Sequence, residues 1–336
     1  MEPLIGIHHV TAITSSAEKI YDFFTDVLGL RLVKKTVNQD DIGTYHLFFA
    51  DAVGSPGTDM TFFDFAGIAP AKKGTDELSR TGFRVPDDAA LAYWVRRFDH
   101  FKVRHEGVKS VLGRNMLFFE DFDHQAYALV SDTGVRGVAA GMPWEEASVP
   151  APFAITGLGP MFMRVRDLER MGKVLLETMG MQERLVEAPY TLYEMGEGGN
   201  GASVIVEEDR TGLRGTQGYG AVHHVAFRVR DREAIDAWTK RLQAVGAPNS
   251  GFVERFYFQS LYTRLYPGIL FEFATEGPGF TDDEETLETL GETLALPPKL
   301  RPHRAAIEAE VRPIDTVRHN KTAEKMWFGC DTTSKR

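Results

Sequence analysis

The chain has 336 residues, 43% hydrophobic and 26% charged, with a formal net charge of −10 and a pI near 5.5. That acidic balance excludes a nucleic-acid binder working through a basic face, and a single cysteine, Cys330, excludes a disulfide framework or a cysteine zinc cluster. No apolar run approaches the roughly 18 residues that span a bilayer, and MEPLIGIHHV lacks the basic-then-apolar pattern of a secretory leader, so the expected setting is cytoplasmic, with no membrane partner.

In chain order, the first predicted element is a short alternating strand in GIHHVTAIT (Gly6 to Thr14), which carries two adjacent histidines. Polar TSSAE then opens a helix that ends at the turn LGL, and the alternating runs TYHLFFAD and MTFFDF follow. The same order of elements recurs from SRTGFRV, from GPMFMRV and from AVHHVAFRV, with PDD and RDLE as helix-starting stretches and MGM and VGA as turns. The repeating unit is β-α-β-β-β, about 60 to 80 residues long and used four times. A curved sheet with a helix on one face leaves the other face open, and pairing two units closes a cavity. The expected fold is therefore α+β, with four βαβββ modules in two barrel-like domains at residues 1–145 and 150–280. Gly141 to Phe153, GMPWEEASVPAPF, reads as the linker between them. Residues 281–336 form a separate tail, predicted as an acidic helix over TDDEETLETLGETL followed by a Pro/Arg-rich, partly disordered end.

Side chains alternate across a strand, so adjacent histidines are expected to face opposite sides. His223 shares parity with Val225, Phe227 and Val229, the set suited to packing on the helix. His224 shares parity with Ala226 and Arg228, which suits the concave side. The same argument turns His9 inward and His8 outward, so replacing His8 is expected to matter far less than replacing His9. Aligning the units places Arg80 and Pro160 where the first and fourth carry His9 and His224. In the last strand, YPGILFEFA, Ile269, Phe271 and Phe273 share one face, leaving Glu272 on the other, a costly place for a carboxylate unless it is paired or metal-bound. Thr61, Ala128 and Ile205 hold that position elsewhere, so one complete set remains: His9, His224 and Glu272. Two histidines and one carboxylate form the facial triad of non-haem Fe(II) oxygenases; Mn(II) also suits it, and ligand type alone leaves Zn(II) open. The alternative is two satisfied core histidines and a buried ion pair. His46 reads as structural.

With these residues in hand, the chain resembles the vicinal oxygen chelate superfamily, which contains glyoxalase I, bleomycin-resistance proteins and extradiol dioxygenases. More narrowly, GIHHVTAIT, TYHLFFAD, GSPGTDMTFF, VHHVAF and ERFYFQSLYTRLYPGILFE look like the hydroquinone ring-cleaving dioxygenases. The resemblance covers about residues 4–285 and is specific in the first and fourth units. It implies Fe(II) held by His9, His224 and Glu272, with Arg255, Tyr262 and Thr11 beside the site and His223 near the substrate, where parity had placed it on the helix side. A strand bulge would reconcile the two placements. The implied partners are a small aromatic substrate and O2, and the sequence is compatible with a homo-oligomer. Other readings are cleavage of catechols, a glyoxalase-like metal-dependent isomerase or lyase, and a non-catalytic, resistance-type binding protein.

Overall fold

A computed structural model of the chain describes residues 2–281, 283–318 and 322–329. The first unit comprises β1 (Ile7–Ile13), α1 (Ala17–Asp22, continued by a wider helical turn over Phe23–Val27), β2 (Arg31–Val37), β3 (Tyr45–Ala50) and β4 (Asp59–Phe63). The second comprises β5 (Glu77–Val85), α2 (Asp88–Phe101), β6 (His105–Val111), β7 (Arg114–Glu120) and β8 (Ala126–Ser131). The third comprises β9 (Gly157–Val165), α3 (Leu168–Lys173, continued over Val174–Thr178), β10 (Gln182–Glu187), β11 (Tyr190–Glu194) and β12 (Ser203–Glu208). The fourth comprises β13 (Ala221–Val229), α4 (Arg232–Ala244), β14 (Asn249–Glu254), β15 (Gln259–Tyr266) and β16 (Ile269–Thr275). The polar stretches before the helices act as caps: Ser16, Asp87, Asp167 and Asp231 each accept a hydrogen bond from the backbone N–H three residues on.

The strands form two eight-stranded sheets, ordered β14-β15-β16-β13-β1-β4-β3-β2 and β10-β11-β12-β9-β5-β8-β7-β6. The α+β class, the four modules and the two barrel-like halves are as expected. The grouping is not. β1 pairs antiparallel with β13 and β5 with β9, so one barrel joins the first unit to the fourth and the other joins the second to the third. Residues 1–145 and 150–280 are therefore not the two barrels, and Gly141 to Phe153 connects β8 to β9 within one sheet. The chain passes between barrels along residues 64–76 and again along 209–220. These passages run side by side through the bridges Pro70–Tyr219, Lys72–Thr216 and Thr75–Arg214. The first strand of each unit offers the same free edge, and strand pattern alone does not say which edge it meets.

Strand alternation sorts the apolar residues into layers. Ile269, Phe271 and Phe273 join the helix-side core with Trp238 of α4, whose ring stacks on Phe273 at 4.6 Å. Phe24 lies edge-on to Phe62 of its own unit at 4.9 Å and to Phe83 of the second at 6.1 Å, tying the two sheets together through the helix layer. On the concave faces, Ala226, Ala274, Phe48 and Phe258 form one cluster, and Phe118, Ala128, Phe162 and Ile205 form the other.

The tail corrects a second expectation. Residues 281 and 283–294 form turns and bends rather than an acidic helix, while a short helix, α5 (Arg304–Glu310), follows. The cause is Lys34, fully buried on β2, whose Nζ lies 2.8 Å from Asp283 and 2.7 Å from Glu285. Meeting that cation draws the carboxylates into the barrel, where a regular helix would leave them in solvent, and Gly291 at φ +79° turns the backbone back. Leu290 and Phe280 enter the first barrel's core beside Tyr257. The Ala295 N–H then donates to the Lys35 carbonyl, covering the edge of β2. Of the end expected to be partly disordered, residues 319–321 and 330–336 lie outside the described residues.

Lys34→Met should destabilise the fold by about 3–5 kcal/mol, because it leaves two buried carboxylates without a cation. Urea denaturation should show it, with partial recovery when Asp283→Asn and Glu285→Gln are added.

Candidate metal centre

The site forms at the seam between β1 and β13, where the strand register slips twice. Ile7 faces Phe227 and His9 faces Ala226; further along, Thr11 faces His224 and Ala12 faces Val222. At each slip two residues oppose one, so His8 and His223 are the extra residues of two β-bulges. A bulge interrupts alternation, and both histidines of each pair turn together. His8 Nδ1 lies 3.0 Å from His9 Nδ1, and His223 Nδ1 lies 2.8 Å from His224 Nδ1. This overturns the outward placement of His8, which is 3% exposed. It also takes His223 away from Val225, Phe227 and Val229 and into the wall of a cavity. The bulge that would reconcile the two readings of His223 is present.

The register confirms the alignment of units two residues beyond each histidine. Thr61 faces Thr11, Glu272 faces Ala226, Ala128 faces Gly82 and Ile205 faces Phe162. In the first barrel this brings His9, His224 and Glu272 together, all buried, as a group able to hold a metal ion. His9 Nε2 and His224 Nε2 are 3.2 Å apart, and each lies within 3.1 Å of Glu272 Oε2. These distances are those of ion pairs, yet Oε2 is buried without an aligned hydrogen bond. Lone pairs of two nitrogens and one oxygen thus converge on one point, the arrangement a divalent cation resolves and the protein alone does not. The residues present fit a metal of the type that a two-histidine, one-carboxylate set binds.

Hydrogen bonds fix the orientation of these ligand atoms. Thr275 carbonyl can only accept, so His8 Nε2, 2.9 Å away, carries a proton. Burial lowers the His8 pKa from 6.5 to about 3, so the ring is neutral and its Nδ1 accepts from the Nδ1–H of His9, leaving the His9 Nε2 lone pair facing Glu272. His223 stands likewise behind His224, its pKa also lowered to about 3, chiefly by burial. Burial lowers that of His224 as well. The Ser260 hydroxyl donates to Glu272 Oε1 at 2.5 Å.

The other expected residues surround a cavity of about 290 Å³ that opens beside the triad. Tyr262 faces Glu272 across β15 and β16, and its hydroxyl accepts from Arg255 Nε at 3.1 Å. Arg255 also lines the cavity, whereas Thr11 lies beneath it, its Oγ1 3.0 Å from His224 Nε2 and 2.7 Å from Thr61 Oγ1. His46, read as structural, is in the wall, with its Nε2 3.0 Å from Thr61 Oγ1. Phe48, Phe63, Phe65, Phe258 and Leu270 supply apolar surface. Sequence reasoning missed Ser260 and Phe258. Ser260 shares the parity of Tyr262 and Glu272, which could have found it; Phe258 sits in the β14–β15 turn, where no periodicity applies.

The model of the "Glyoxalase/Bleomycin resistance protein/Dioxygenase superfamily" matches residues 6–126. The chain is 45% identical over 314 residues to the "Putative ring-cleaving dioxygenase MhqA" of Bacillus subtilis (strain 168), covering 92% of this chain and 98% of the relative. It is 30% identical over 305 residues to the "Chlorohydroquinone/hydroquinone 1,2-dioxygenase" of Sphingobium indicum, covering 89% and 93%. A crystal structure of a dioxygenase from Bacillus subtilis, itself titled putative, superposes with a TM-score of 0.84 at 33% identity, over 94% of this chain and 99% of that one. Glyoxalase I from Zea mays shares the fold at a TM-score of 0.57 and 14% identity, over 81% and 92%. Coverage this complete, joined to the paired units and the converging ligand set, makes the chain a member of the glyoxalase/bleomycin resistance/dioxygenase superfamily, within a group of ring-cleaving dioxygenase relatives.

Proposed function

We propose that the protein is a non-haem Fe(II) dioxygenase that opens the ring of a substituted hydroquinone with O2. The convergence of His9 Nε2, His224 Nε2 and the unpartnered Glu272 Oε2 at the end of an aromatic-walled cavity carries this reading. The donor set with O2 chemistry favours Fe(II), with Mn(II) acceptable and Zn(II) less suited because it has no redox chemistry to offer dioxygen. The relative named for hydroquinone cleavage supports the substrate class. The cavity is at the small end of ligand pockets, which suits a single ring.

When bound, Fe(II) supplies the redox chemistry that lets dioxygen react with a closed-shell aromatic ring. The chain's own residues hold that ring and manage its protons. Tyr262 accepts from Arg255, so its own proton is free for a substrate oxygen; burial and the nearby Glu272 raise its pKa, keeping it a phenol. His223 turns one ring nitrogen to His224 and lines the cavity, positioned to exchange a proton with a ring hydroxyl. The Arg255 guanidinium stabilises negative charge as it develops. Thr11 holds the ligand face of His224. The phenylalanines flank the ring and exclude water. A glyoxalase-like reading calls for a fourth, carboxylate ligand from the first unit, and Thr61 stands there, engaged with Thr11 and His46.

Glu272→Ala should abolish Fe(II) retention after anaerobic reconstitution, together with oxygen uptake on substituted hydroquinones; normal iron content in the variant would exclude the triad. His8→Ala should weaken Fe(II) affinity by about 10-fold or more, since nothing else sets the His9 tautomer; competition with a chelator measures it. His8 and His223 have folded pKa values near 3 against 6.5, so the folded state binds fewer protons than the unfolded one between those values. Their contribution is complete above pH 6.5 and declines on acidification. The urea midpoint of metal-free protein should therefore fall from pH 6.5 to about pH 4, and fall less in a His8→Gln/His223→Gln variant.

A further inference from the structure

We infer that the Asp40–Arg255 ion pair at the cavity mouth selects against aromatic substrates that carry a negatively charged ring substituent. The inference rests on the proposed reading of the cavity as a ring-binding site, and adds to it the charge class of substituent admitted. Among the described residues that line the cavity, Arg255 is the one lysine or arginine. Two of its donors are already engaged: Nε donates to the Tyr262 hydroxyl, and Nη1 lies 3.0 Å from Asp40 Oδ2. The Gln39 side-chain amide donates to the Arg255 carbonyl at 2.8 Å. The β2–β3 loop of the first unit is thereby tied across the mouth to the β14–β15 turn of the fourth.

The two partners differ in how they are held. The Asp40 side chain is 73% exposed and that of Arg255 22%. Asp40 keeps most of its water, so placing its charge at the mouth costs little, while it offsets the guanidinium that an incoming substituent meets there. Lys34, whose Nζ lies 5.3 Å from the centre of the Tyr257 ring, is already shared by Asp283 and Glu285. A carboxylate on the ring would thus be stripped of water between phenylalanines with Asp40, and no unpaired cation of the mouth, beside it. An uncharged substituent, such as an alkyl group or a halogen, meets Phe48, Phe63 and Phe65 and gains by leaving water.

The test measures binding, by calorimetry under nitrogen on the full Fe(II)-loaded chain, of hydroquinone and of 2,5-dihydroxyphenylacetate. Comparing the same two probes across variants cancels whatever the carboxylate gains at the metal. Asp40→Asn should shift the ratio of the two affinities at least about tenfold toward the anionic probe, the shift should shrink at high salt, and Arg255→Gln added to Asp40→Asn should abolish it. A ratio within about threefold of the parent, or a shift that survives loss of Arg255, overturns the inference. A shifted ratio in a chain that takes up no oxygen with hydroquinone would instead overturn the proposed reaction and leave the charge selection standing.

Discussion

A fully buried carboxylate whose free oxygen faces two imidazole nitrogens is unstable as a set of protein groups alone, and the first barrel is built to hold it. Glu272 Oε1 has the Ser260 hydroxyl, but Oε2 has only lone pairs around it. Two bulges make this possible. By turning His8 and His223 inward behind His9 and His224, they use the outer ring nitrogens as hydrogen-bonding partners and commit the inner ones to the centre. A regular strand pair would have sent one histidine of each pair into the helix-side core, where a neutral ring would find few partners.

The second barrel shows the same architecture without that demand. Its counterparts of the ligands are Arg80, Pro160, Ala128 and Ile205, and its concave face is filled by Phe118, Phe162, Met116 and Leu192. The Arg80 guanidinium lies 4.0 Å from the centre of the Phe118 ring, so a cation of the chain's own occupies the region where the first barrel gathers its donors. The two halves thus divide the work. One has its concave face filled by side chains and, among the described residues, carries no donor set, while the other keeps a cavity beside buried polar groups. Shared helix-side packing, such as Phe24 against both units, lets the solid half support the open one.

The sequence displayed a good part of this. Four units, their helix caps, and the register that sets Glu272 against Thr61, Ala128 and Ile205 all follow from local pattern, and local pattern is what a single sequence carries. Parity located His9, His224 and Glu272 because each lies in a regular stretch. It misplaced His8, because a bulge adds one residue without any compositional mark of its own. The partner of each unit was also hidden: β1 and β9 present similar edges, and the choice of β13 over β5 for β1 is made by tertiary fit. The tail misled for a related reason. Its acidic residues suit an exposed helix until Lys34, some two hundred and fifty residues away, is seen to be buried and in need of them.

Pairing the first unit with the fourth also has an energetic consequence. His9 stands on β1, and His224 and Glu272 on β13 and β16, so a bound metal ties the opening strand of the chain to two strands of its last unit across the seam between units. The segment that follows, with Asp283 and Glu285 on Lys34, fastens the fourth unit to the first a second time. Both fastenings bridge the same pair of units, one by coordination and one by a buried ion pair. A metal that binds only the folded seam stabilises it by mass action, and the seam is where metal-free protein carries its uncompensated lone pairs. Occupancy of the centre and closure of the first barrel are therefore coupled, whereas the second barrel, sealed by its own side chains, is not linked to the metal in this way.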